Sequence, residues 1–268
     1  MIYTKPKNCF TAIFCFSLIL ALSGCVFADS RLEDTRARPP ERWAPIKDYG
    51  MDAELGGMRM QGNVDRMDIN SSLDFRTTYR ERHQLFLEWD SDYTTFGGNE
   101  KFDKIRGSIL YAYALQPHVN IFIHSTYGHN DALKLRYRTK NGFPGVCFHD
   151  YFKNIFSTFM VSTSFVTVHE AYKNGVERAI NRMGNRLNFS GPISEHTSYS
   201  SDFYYVPRFK NFRDYYMSWV SYLEFKITPD RLSFRVTVAD EYESKPVVPG
   251  IRRNDLSMRY SVIMHLWR

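Results

Sequence analysis

Histidines with a polar neighbour are the first candidates for acid–base chemistry in this sequence. His169 stands five residues before Asn174, and His129 lies in the run Tyr127-Gly128-His129-Asn130-Asp131. Either could serve as the base of a lipid acyl hydrolase, which needs a serine activated by histidine and a polar group to orient it. His83, His118, His124, His149, His196 and His265 are scattered without metal-ligand spacing. They read as strand or turn residues, and no metal or cofactor is expected. Of the four cysteines, Cys9, Cys15 and Cys25 lie near the start and only Cys147 lies in the body of the chain. That excludes a disulfide framework and leaves Cys147 as a small wall residue without a redox role.

Charged residues offer a second kind of chemistry. Asp68, Asp74, Glu88, Asp90, Arg106, Arg182, Arg186, Glu224, Arg235 and Arg259 recur between apolar neighbours. Gathered on one inner face, they would line a selective pore. They could equally form a packed ion-pair network, because an unpaired buried charge is costly. Lys134, Arg136, Arg138 and Lys140 alternate with Leu133, Leu135 and Tyr137. They would form a cationic face at an outer rim, suited to the phosphates of lipopolysaccharide, or ordinary solvated loop charge. Lys101, Lys104, Lys173, Arg178, Arg208, Lys210, Arg213, Arg252 and Arg253 lie in or near other segments read as loops.

The elements that must position these groups are strands. In the last dozen residues, Leu256, Met258, Tyr260, Val262, Met264 and Leu266 share one face. Ser257, Arg259, Ser261 and His265 share the other, with Ile263 the exception. This is a period of two, sustained beyond the roughly 5–6 residues of a soluble strand and matching the roughly 9–11 of a tilted membrane-spanning one. The same alternation runs through 67–76, 85–93, 105–116 and 119–127, and further strands are expected near 145–152, 156–169, 181–190, 197–208, 215–227 and 231–242. With an opening strand near 49–60, about twelve are expected, an even number as in single-chain bacterial barrels.

Short connections are expected near Arg80-Glu81, Pro117-His118, Lys153-Asn154, Gly191–Glu195 and Pro229-Asp230. Long ones are expected near Gly97–Lys104, Asn130–Asn141, Ala171–Ile180, Phe209–Asp214 and Glu243–Asp255. That order fits short periplasmic turns and longer outer loops. The fold class expected is all-β, an antiparallel up-and-down transmembrane β-barrel. A soluble ligand-binding barrel of lipocalin type shares the alternation, but strand length, strand number and an export signal weigh against it.

Composition agrees. The chain has 268 residues, 16% of them aromatic, and a net charge of +6. Mean hydropathy is negative, as expected when lumen-facing polar residues cancel lipid-facing apolar ones. Trp89, Trp219 and Trp267 would belong to aromatic belts. No basic cluster comes with a recognition helix or stacking platform, so no nucleic acid is expected. Lys5 and Lys7 precede an apolar run from Phe10 to Leu22, a secretory leader. Cleavage after Ala28 gives a signal over 1–28. Leu22-Ser23-Gly24-Cys25 gives instead a lipobox, a signal over 1–24 and lipidation of Cys25. Residues 29–47, with Pro39-Pro40 and Pro45, read as a periplasmic linker, and 48–268 as the barrel. The localisation that follows is the outer membrane of a Gram-negative bacterium. Lipid, lipopolysaccharide and the barrel assembly machinery are the expected partners.

The run from Gly50 to Leu266 resembles the salt-induced outer-membrane protein family (YdiY-like). The resemblance rests on Gly62-Asn63 after the opening strand, and on Tyr242, Ser244, Pro246, Gly250 and Asp255 before the closing one. Arg268 beyond the terminal aromatic residue departs from the pattern. The resemblance implies an outer-membrane barrel but no activity, and the function expected is envelope adaptation or integrity. The alternative is a narrow passive pore for small solutes or ions. A third reading starts from His169, Asn174-Gly175 and Asn185-Arg186-Leu187, which resemble an outer-membrane phospholipase pattern. The serine that pattern needs two residues after the histidine is replaced by Ala171, so no enzyme is expected.

Overall fold

The computed structural model describes residues 49–60, 66–80, 82–96, 100–131, 134–152, 156–228, 231–245 and 254–267. The expectations for the leader, Cys25 and the linker lie outside the described residues, as do Gly62-Asn63, Pro246, Gly250, Arg252, Arg253 and Arg268. The side chains of Lys101, Asp255 and Trp267 lie outside them too.

The strands are β1 (Tyr49–Met60), β2 (Arg66–Tyr79), β3 (His83–Phe96), β4 (Glu100–Gln116), β5 (Val119–Asn130), β6 (Leu135–His149), β7 (Thr158–Tyr172), β8 (Glu177–Pro192), β9 (Thr197–Arg208), β10 (Asn211–Thr228), β11 (Leu232–Glu243) and β12 (Asn254–Trp267). Each pairs antiparallel with its chain neighbours, and β12 pairs with β1 to close the barrel. β1 starts and β12 finishes at one end, called here the near end. In the ring, β7 and β8 lie across the lumen from β1 and β2.

Alternation makes these strands inside out. Outward Leu55 and Trp89 expose 64% and 50% of their surface, while inward Arg106 and Arg186 expose 3% and 5%. A soluble barrel would put the apolar face inside, so the outward apolar surface is the one that meets lipid. Ile263, the exception in the last strand, is buried with its polar neighbours on the inner face.

Strand lengths run from 12 residues in β1 to 18 in β10, beyond the roughly 9–11 that cross the hydrocarbon. This corrects the expected order of loops. β4 begins at Glu100, β6 at Leu135, β8 at Glu177 and β10 at Asn211, each inside a stretch read as a long loop. The turn expected at Lys153-Asn154 separates strands that end at His149 and start at Thr158. At the far end, the connection after Glu243 is the one that stays long. Backbone pairing continues past the apolar band because ladder hydrogen bonds need no apolar side chains.

The closing seam differs from its neighbour. β1 pairs with β2 from Tyr49–Thr77 to Met60–Arg66. It pairs with β12 only from Met51–Trp267 to Gly56–Ser261.

Candidate functional site

The lumen holds two unlike walls. On β1–β3 the inward face carries Asp52, Glu54, Asp68, Asp74, Glu88, Asp90 and Asp92, with Arg76 the inward cation among the described side chains. Cations that neutralise this wall arrive from other strands. Arg106 on β4 donates to Glu88 at 2.6 Å and also to Asp90. Arg235 on β11 bridges Glu224 at 2.7 Å and Glu54 at 3.0 Å, with its guanidinium 4.2 Å from the Tyr222 ring centre. Arg259 on β12 reaches past β1 and β2 to Asp92 at 3.2 Å. Asp52 holds Arg76 at 2.8 Å and His265 at 2.7 Å. Bidentate and charge-assisted bonds of this kind are the strong ones, and they offset the desolvation of buried charge only when geometry is good.

The facing wall, on β6–β8, is cationic. Arg138, Lys140, Arg178, Arg182 and Arg186 line its inner side, with Glu170 among them. Glu170 is buried and pairs with both Arg138 and Arg178. Tyr172 donates its hydroxyl to Glu170 at 3.2 Å. Arg178 also reaches Glu243 on β11 at 3.5 Å, and Arg182 pairs with Asp214 at 3.0 Å. Arg186 donates through Nε to Asp202 at 2.6 Å and lies 5.0 Å from the Tyr204 ring centre. Its Nη1 and Nη2 are buried and have no hydrogen-bond partner among the described residues.

Against the cationic wall lies a cavity of about 100 Å³, lined from β4 round to β11. Toward the near end, Phe86, Leu110, Ala112, Phe122, Cys147 and Met160 form a buried apolar cluster on β3–β7. Leu110 and Phe122 of this cluster also line the cavity, so the cluster forms its floor on that side of the ring. Two glycines of β6 give the floor its shape. A Cβ at Gly142 would meet the His124 ring at 2.0 Å, and one at Gly145 the Phe122 ring at 2.4 Å. Hydrogen in place of a side chain lets both rings lie flat on the wall.

Every inner-face charge singled out from the sequence (Asp68, Asp74, Glu88, Asp90, Arg106, Arg182, Arg186, Glu224, Arg235 and Arg259) sits on the inner face. The four cations assigned to an outer rim are not brought together. The register of β6 against both neighbours shifts between Leu135 and Arg138, which resets the alternation. Lys134 is in the turn with φ 53°, and Arg136 is exposed. Arg138 and Lys140 turn inward, where Arg138 meets Glu170 and Lys140 lies 5.9 Å from the Tyr216 ring centre.

His169 is exposed on the outer face, and Asn174 accepts from the Val176 N–H in a far-end turn. Asn185 bonds Thr163 and the Tyr205 carbonyl, so the three do not converge. His129 pairs with Asp131 at 2.8 Å at the far end. Among the described residues, no group of three or more His, Cys, Asp or Glu is placed to hold a metal ion.

Sequence reading missed Arg178, His124, Tyr204 and Tyr216 as lumen residues. Arg178 could have been found, since it precedes Arg182 and Arg186 at steps of four on one strand, and even steps share a face.

The DUF481 profile, described as a protein of unknown function, matches residues 53–265. No curated protein matches the chain. Among solved structures, a NanC porin is similar, with a TM-score of 0.50 at 10% identity over 81% of this chain and 100% of that one. A KdgM porin in complex with disordered oligogalacturonate scores 0.45 at 9% identity, over 80% of this chain and 98% of that one. The translocator domain of the autotransporter NalP from Neisseria meningitidis scores 0.45 at 10% identity, over 98% of each chain. At such identities the likeness is one of fold, that of outer-membrane β-barrels.

Proposed function

The chain belongs to the DUF481 family of proteins of unknown function, and from that premise we propose that it is a narrow outer-membrane channel that favours small anions. The observation that carries this reading is the unequal lumen. The acidic wall is neutralised by cations from β4, β11 and β12. The cationic wall of β6–β8 faces the cavity with more cations than acids. A low-dielectric passage lined this way concentrates anions and repels cations. The floor at Phe86 and Phe122 makes it a restricted passage. In this reading the protein resides in the outer membrane of a Gram-negative bacterium with the near end in the periplasm. Lys134 and Arg136 would then stand outside, where lipopolysaccharide offers phosphates.

The test is conductance of the refolded barrel in planar bilayers under a salt gradient. The expected result is discrete steps with a reversal potential on the anion side. Reversing Arg182 to Glu should move that potential toward cations. A folded, heat-modifiable barrel that is silent in every bilayer overturns the reading.

The apolar floor and the ion-pair networks favour a second reading, a closed barrel that serves envelope integrity. Silence in bilayers, with loss of envelope integrity in a deletion strain at high salt, is what that reading expects.

A further inference from the structure

We infer that the cavity beside Arg186 is a built binding site for a small organic carboxylate. The inference deepens the anion-channel reading and rests on it only for how the ligand arrives.

The guanidinium of Arg186 is fixed on two sides. Nε is held by Asp202 at 2.6 Å, and the ring of Tyr204 lies 5.0 Å from the guanidinium carbon. Nη1 and Nη2 are left as a pair of parallel donors. They are buried, and no described residue accepts from them. Arg186 itself exposes 5% of its surface and lines the cavity. Buried donors normally find acceptors, because leaving them unmade costs stability. A planar fork of two N–H groups matches the two oxygens of a carboxylate. The ammonium of Lys140 lines the same cavity, so a second cation is at hand.

The rest of the lining decides what kind of anion fits. Phe122, Tyr204, Tyr216 and Val166 contribute apolar surface, while Ser162 and Ser164 contribute hydroxyls. A bare inorganic ion would leave the aromatic faces unused. A carboxylate with a flat carbon body would place its oxygens on Arg186 and its body against the rings. Gly184 keeps that space free, since a Cβ there would meet Ser164 Oγ and Val166 Cγ2 at 3.0 Å. Leu110 and Phe122 of the apolar cluster border the cavity on its near side.

The experiment is isothermal titration of the refolded full barrel in detergent with benzoate, acetate and inorganic phosphate, which does not depend on conduction. Benzoate is expected to bind more tightly than either acetate or phosphate. Arg186→Gln is expected to weaken benzoate by about tenfold or more, and Lys140→Gln by less. Heat-modifiable migration on gels shows that each variant is folded. Unchanged benzoate affinity in folded Arg186→Gln overturns the assignment, as does absence of binding to the wild-type barrel. Equal affinity for all three anions overturns the organic part. If benzoate binds while the barrel stays silent in bilayers, the site stands and the channel reading falls.

Discussion

The walls of β1–β3 and β6–β8 face one lumen and treat charge in opposite ways. On the first, carboxylates are met by cations reaching in from β4, β11 and β12, each placed on more than one acceptor or across intervening strands. On the second, cations crowd around Glu170, and Arg186 has two nitrogens without a partner among the described residues. The difference separates two uses of buried charge. A guanidinium that places Nη on a carboxylate stiffens the barrel and is silent toward solutes. One with neither Nη on a described residue is held ready for something that is not part of the chain.

Breaking the completed pairs should have the largest effect. Arg106→Gln strands Glu88 and Asp90 in a buried position. It is expected to cost about 3–5 kcal/mol, read as a lower urea midpoint for the refolded barrel. A loss as small as that of a surface change would mean that the acidic wall does not depend on its pairs. Next comes Gly142→Ala on the cationic side. The new methyl collides with the His124 ring and should cost about 1–3 kcal/mol as the ring is displaced toward the cavity. The same urea series measures it, and a smaller conductance should accompany it.

Arg186→Gln sharpens the contrast. Asp202 loses its cation, but two unsatisfied donors vanish as well, so the net cost should be about 1–3 kcal/mol, below that of Arg106→Gln, which strands two carboxylates. A cost equal to that of Arg106→Gln would place Arg186 among the structural pairs and erase the distinction between walls. The smallest effect belongs to Arg136→Gln. That side chain is exposed outside the lumen, and stability should stay within about 0.5 kcal/mol with unchanged ion selectivity in bilayers.

Period-two patterning made the twelve strands and their faces legible, down to Ile263 as the apolar residue on an inward polar face. The ten inner charges named from the sequence followed from the same rule. Its failures have physical causes. Polar residues beyond the apolar band still pair as strands, so the far-end loops were drawn too long. The register shift in β6 breaks parity, so Arg138 and Lys140 turned inward while Arg136 stayed out. Alternation names a face but not a height, so nothing in it foretold that Phe86, Phe122 and Met160, from three different strands, would meet in one layer. Nor does it say which charges find partners across the ring, since that depends on how the sheet curls and closes.

The short seam between β1 and β12 bears on how such a barrel is made. Above Gly56 and Ser261 the two end strands have no ladder between them, and below that level their inner sides are tied by Glu54 to Ser261 at 2.5 Å and by Asp52 to His265 at 2.7 Å. β1 and β12 are the paired strands farthest apart along the chain, so their pairing closes the longest loop. The two carboxylates of β1 act as a latch across that closure. Under heat or mechanical pull the same line is where the wall should first part, zipping in reverse from the far rim toward the near one.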